Sequence, residues 1–202
     1  SMRAHSLRSL ALMILAIASL ISGCAGTVVH MQELAADKAP VAPAPGKAAV
    51  VFLRPSGLGF AIQSSVFEVK DNQSLLVGII AAKTKVAYQV EPGKRLFMAI
   101  GESADFMTAD LLPNRTYYVL VAPRMGLWKA RFGLEPVRAK DLDSSEFKSS
   151  LADCKWVEKT DASENWARGN MASVESKRAE YFPDWVKQPE PEKPHLSPGD
   201  GR

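Results

Sequence analysis

Between Ala48 and Leu134 the chain is broken into short apolar or alternating runs, each closed by turn residues. That rhythm, with a turn roughly every 8–12 positions, is the grammar of a sheet protein. The run Ala48–Arg54 (AAVVFLR) reads as a buried strand that stops at Pro55-Ser56-Gly57. Ser65–Lys70 and Leu75–Ile80 flank Asp71-Asn72-Gln73, a hairpin signal. Val86, Tyr88 and Val90 alternate with Lys85, Ala87 and Gln89, the period-two mark of a half-buried strand. Glu91-Pro92-Gly93 is a tight turn: proline fixes φ and glycine accepts a positive φ after it. Arg95–Gly101, Phe106–Leu111, Thr116–Ala122 and Trp128–Leu134 complete the series, with Pro113-Asn114 turning the chain. The expectation is a mainly β domain over residues 47–140, an antiparallel β-sandwich or small barrel of about eight short strands. No helical period separates the runs, which argues against a parallel α/β sheet.

The texture differs on both sides. After Asp141 the sequence predicts a helical extension over residues 141–187. Asp143 or Ser144 can cap a first helix through Ala152, and Asp161-x-x-Glu164 resembles the start of a longer one. Trp166, Ala167, Met171, Val174 and Tyr181 fall near one face of it. Pro183 lacks an N–H and clashes with the preceding turn, so that helix is expected to end near Phe182. Residues 188–202 are polar and proline-rich and are expected to lack secondary structure. On the other side, Pro40, Pro43 and Pro45 favour an extended chain, so residues 24–46 read as a tether, with a short helix expected over 29–38.

Residues 1–23 read as an address. Arg3 and Arg8 precede the apolar stretch Leu10–Ile21, which is too short for a comfortable membrane span of about 20 residues. Ile21-Ser22-Gly23-Cys24 resembles the lipobox of bacterial lipoproteins. The resemblance implies cleavage before Cys24, a diacylglycerol on its thiol and an acyl chain on its new amino group. No other cofactor is expected. Two or more chains give stable anchoring where one gives only marginal binding. Ala25 follows the cysteine where aspartate would signal inner-membrane retention, so the expected place is the outer membrane, facing the periplasm. Cleavage removes Arg3 and Arg8 and no acid, taking two of the net +3 charges with it. A nearly neutral mature chain gives no reason to expect nucleic acid as a partner.

Four segments then occur in order. These are Ala48–Gly57 with its Arg54-Pro55, Val66–Asp71, Val90–Lys94 with its Pro92-Gly93-Lys94, and Asn114–Val119 with its Arg115-Thr116-Tyr117-Tyr118. Their order and spacing resemble a family of bacterial lipoproteins known as domain of unknown function 2846, over about residues 47–122. The resemblance implies a secreted, lipid-anchored β domain and assigns no reaction or catalytic residue.

The chemistry on offer is sparse. The three histidines, His5, His30 and His195, all lie outside residues 47–140, so that part holds no Ser-His-Asp triad and no histidine-ligated zinc. Glu102 and Asp105 sit close together and read either as a carboxylate pair for acid–base work or as a solvated turn. Cys154 is the one thiol left once Cys24 is acylated, and it reads as a small apolar residue packed beside Trp156. Residues 47–140 are net basic and residues 141–202 net acidic. Either the cations, among them Arg54, Lys83, Lys85, Arg95 and Arg138, meet an anionic lipid or polymer, or the acidic extension folds back on them. Arg124, Leu127, Trp128 and Arg131 mix aromatic, apolar and basic groups, as an exposed binding loop does. The expected function is a non-enzymatic binding or structural module of the cell envelope, with a protein or cell-wall partner. An accessory lipoprotein of a secretion or transport assembly and a carboxylate-dependent envelope hydrolase are the alternatives.

Overall fold

The structure is a computed structural model and describes residues 30–39, 42–125 and 130–202. Residues 21–24, Leu127 and Trp128 lie outside the described residues. Eleven strands form two sheets among the described residues. The first contains β1 (Met31–Glu33), β2 (Ala48–Arg54), β5 (Thr84–Val90), β8 (Thr116–Met125), β9 (Ala130–Pro136) and β10 (Lys155–Lys159), in the order β1-β10-β5-β2-β8-β9. The second contains β3 (Ser64–Lys70), β4 (Gln73–Ile80), β6 (Gly93–Ile100), β7 (Ala104–Leu111) and β11 (His195–Leu196), in the order β11-β7-β6-β3-β4. The mainly β expectation holds and the arrangement is sandwich-like. The strictly antiparallel expectation does not hold. β2 pairs with β8, β10 with β5, and β11 with β7 in parallel. These pairings join segments far apart in sequence, which strand-by-strand turn grammar does not reveal.

The hairpins follow local chemistry. Asp71 and Asn72 both take a positive φ, 49° and 62°, as the two-residue turn joining β3 to β4 requires. Gly93 takes φ 100° in the turn before β6. β2 is buried along its whole length. Val50 and Phe52 enter the core between the sheets, and Val51 and Leu53 enter a second core on the other face. A continuous apolar run is what a strand covered on both faces needs. The main core closes around Phe52 and Phe97, from opposite sheets, with ring centroids 5.2 Å apart.

Two helices cover the sheets. α1 (Ser145–Asp153) is capped by Ser144 and lays Phe147 against Tyr118 of the first sheet. α2 (Asp161–Lys187) packs on β4 and β7 and buries Ala167, Val174 and Trp185. Its start is one residue earlier than the acidic pattern suggests. Thr160 accepts from the Ser163 N–H, and the Ser163 hydroxyl accepts from the Thr160 N–H. Nor does α2 end at Phe182, for Pro183 lies inside it. Phe182 and Trp185 stack on each other and both pack on Phe106, and this burial offsets the lost backbone hydrogen bond.

The ends of the described chain are parts of the body. In place of the expected helix, residues 31–33 form a strand on β10, and only 36–38 make a short 3₁₀ turn. From His30 the expected tether is docked: its carbonyl accepts from the Thr160 hydroxyl, and the Gly46 N–H donates to Asn114. The tail is docked too. Leu196 is fully buried, and Asp200 accepts from Arg138 and from the Ser197 and Ala139 N–H groups. A Cβ on Gly201 would come within 2.7 Å of the Tyr117 ring, so only glycine fits there. The acidic extension does fold back on the basic part, with ion pairs Lys83–Asp153 and Arg138–Asp200 between them. Because β10 and β11 complete the two sheets, the boundary expected at residue 140 divides nothing structurally.

Candidate functional site

A cleft of about 220 Å³ opens where three elements meet. The start of β7 supplies Asp105, the β8–β9 arm supplies Arg124, Arg131 and Phe132, and the end of α2 supplies Asp184 and Trp185. Arg124 and Arg131 face each other across the β8–β9 ladder. Like charges in that position repel. Arg124 has an acid nearby, its Nη2 lying 3.9 Å from Asp105 Oδ2. Among the described residues, no carboxylate pairs with Arg131.

Gly133 sets the position of Arg124. A Cβ there would fall 2.2 Å from the Arg124 Nε and 2.6 Å from its Cζ, so the side chain lies flat against bare backbone. At the other end of the pair, burial pushes the Asp105 carboxyl above the usual carboxylate range. Arg124 and the backbone N–H groups of Phe106 and Leu134 pull it back down in part. Its Oδ2 is buried without a hydrogen bond, as is the indole Nε1 of Trp185. Among the described residues the cleft therefore holds one cation with no carboxylate partner, Arg131, and two buried polar atoms without a hydrogen bond.

The other candidate residues go elsewhere. Glu102 does not join Asp105. It lines a separate groove of about 260 Å³ with Ile62, Trp166 and Lys177, so the two carboxylates do not share a site. Glu68 is buried in a polar link between the sheets. It accepts from Tyr88 at 2.6 Å and lies 3.6 Å from Arg95. Burial, and then the bond to Glu68, push the Tyr88 phenol well above its usual range. Cys154 is buried in the second core with Trp156 packed against that core, and burial pushes its thiol up to about 11. Arg54 is fully buried and holds no acid. Its guanidinium donates to the carbonyls of Leu58, Gly59 and Ile62 and lies over the Phe132 ring at 4.7 Å. The basic surface is thus dispersed into separate structural roles. Among the described residues no cluster of three metal-ligating side chains occurs.

Of the expected binding loop, Arg124 and Arg131 do meet at one cleft. The wall that α2 contributes was not legible, because Pro183 seemed to end the helix before Asp184 and Trp185. Gly133 carried no signal, since a lone glycine in a strand has many uses. A comparison with models of known protein families finds no match for the chain, and a search of curated proteins finds none.

Proposed function

We propose that this protein is a lipid-anchored lipoprotein of the bacterial cell envelope, a non-enzymatic binding module that presents the Arg124–Arg131 cleft to a protein or cell-wall partner. Anchoring is supported by the basic start, the apolar stretch and Ile21-Ser22-Gly23-Cys24. Binding is supported by one observation above the rest: two arginines face each other across a ladder, and one of them has no acid among the described residues. An arginine fork matches a carboxylate in two-pronged fashion, so the partner group is anionic and planar. The separation of Glu102 from Asp105 into different grooves favours capture over turnover.

Two measurements test this. Inhibiting lipoprotein signal peptidase should leave the full precursor, and appearance of the mature form under that block would rule out the anchor. Crosslinked pull-down from native envelopes should then recover a partner with the natural protein and lose it with Arg131→Ala. Gly133→Ala should weaken recovery too, by displacing the Arg124 guanidinium. Unchanged recovery with both variants would remove the cleft from the reading.

A further inference from the structure

The loop between β2 and β3 is built to stay exposed. Three of the six exposed large apolar side chains among the described residues fall in it: Leu58 at 51%, Phe60 at 60% and Ile62 at 41%. Their backbone is braced from below. Arg54, fully buried, donates to the carbonyls of residues 58, 59 and 62, the Leu58 N–H donates to Ser56 Oγ, and the Ile62 N–H donates to the Gly59 carbonyl. Gly59 takes φ 65° with its missing Cβ only 3.7 Å from the Arg54 Nη2. A loop whose backbone is held while its apolar side chains stand in water is preorganised for an apolar neighbour.

The route of the chain identifies that neighbour. Ile62 lines the groove that Trp166 also lines, and the Trp166 ring stacks on His30 at 6.5 Å. His30 is six residues from Cys24. Even fully extended, six residues span at most about 20 Å. A domain tethered so shortly, at this end, has its loop beside the bilayer.

We propose that Leu58, Phe60 and Ile62 insert into the membrane interface next to the acyl anchor and fix the tilt of the domain. The inference rests on the lipoprotein reading above. Its effect is orientation: Phe132, which carries the Arg54 guanidinium on its ring, also lines the cleft. Docking the loop would therefore hold the cleft close to the lipid surface.

The test uses the full chain expressed in bacteria and purified with its anchor. Phe60→Cys and, as control, Asp71→Cys at the opposite end of β3 are each labelled with a polarity-sensitive fluorophore. Acylation blocks Cys24 and burial protects Cys154. The proteins are reconstituted in vesicles of phosphatidylethanolamine and phosphatidylglycerol with bromines on the upper acyl chain. The expected result is a blue shift and bromine quenching at position 60 and neither at position 71. Two water-exposed labels on protein that still floats with vesicles would overturn the loop insertion and leave the anchor standing. Shielding of position 60 only after envelope proteins are added would assign the loop to a protein and also overturn it. Absence of acyl mass on Cys24 would overturn the lipoprotein reading, and the loop proposal with it.

Discussion

Tyr88, Glu68 and Arg95 show what single buried polar groups contribute. Tyr88→Phe leaves one Glu68 oxygen without its donor in a buried place, at an expected cost of about 1–3 kcal/mol at neutral pH by urea denaturation. Burial of the phenol, and then that bond, give the folded protein an alkaline limit. The folded phenol holds its proton above the ordinary value of 10.0, so its stabilisation is complete below that pH and is lost as pH rises past it. Cys154 acts alike from its ordinary 9.0 to about 11. Denaturation curves across pH 9 to 11 should show stability falling for the natural protein and falling less for Cys154→Ala with Tyr88→Phe. At this scale the sequence was a partial guide. Cys154 was legible as a buried thiol from its type and its aromatic neighbour. Arg54 was not: it counted among the cations that meet an anionic partner or the acidic extension, and only the returning loop supplies the carbonyls that hold it inside.

Elements made by contiguous residues were legible, and elements made by distant ones were not. The β3–β4 hairpin, the turn at Gly93 and the apolar face of α2 follow from period and turn chemistry within a few residues. β10 and β11 have five and two residues, and each becomes a strand only by pairing with remote segments, β10 with β1 antiparallel and β5 in parallel, β11 with β7 in parallel. The start of α2 lies between these cases. The pattern Asp161-x-x-Glu164 points one residue past the true cap, because Ser163 returns a hydrogen bond to Thr160 much as a glutamate does. The Thr160 hydroxyl serves twice, accepting from Ser163 and donating to the His30 carbonyl. Thr160→Ala should therefore cost about 0.5–2 kcal/mol, toward the upper end, with Thr160→Ser close to the natural protein in the same urea assay. Equal stability of all three proteins would show that the cap is idle.

The described residues build a main core between the sheets and a second core on the outer face of the first sheet, under α1. The candidate site is likewise composite: three elements from residues 104 to 188 meet to form it, and only its two arginines were visible as neighbours in the sequence. The tail belongs to this unit. Leu196 sits in the main core although its strand has two residues, so Leu196→Ala should cost about 2–5 kcal/mol. Loss of stability in a single transition is the expected signature, while a tail that melts separately would show an early second step. The pairings of Met31 with Lys159 and of His195 with Thr108 also set a timetable. A chain made from its amino end must wait for residues 155–159 before Met31–Glu33 have anywhere to go. Closing such distant pairs is slow, on the order of milliseconds to seconds. During that interval Met31–Glu33 have no strand to pair with. Folding then places Met31–Glu33 at the edge of the first sheet, so under the proposed lipoprotein reading the strand order sets a deadline for acylation of Cys24.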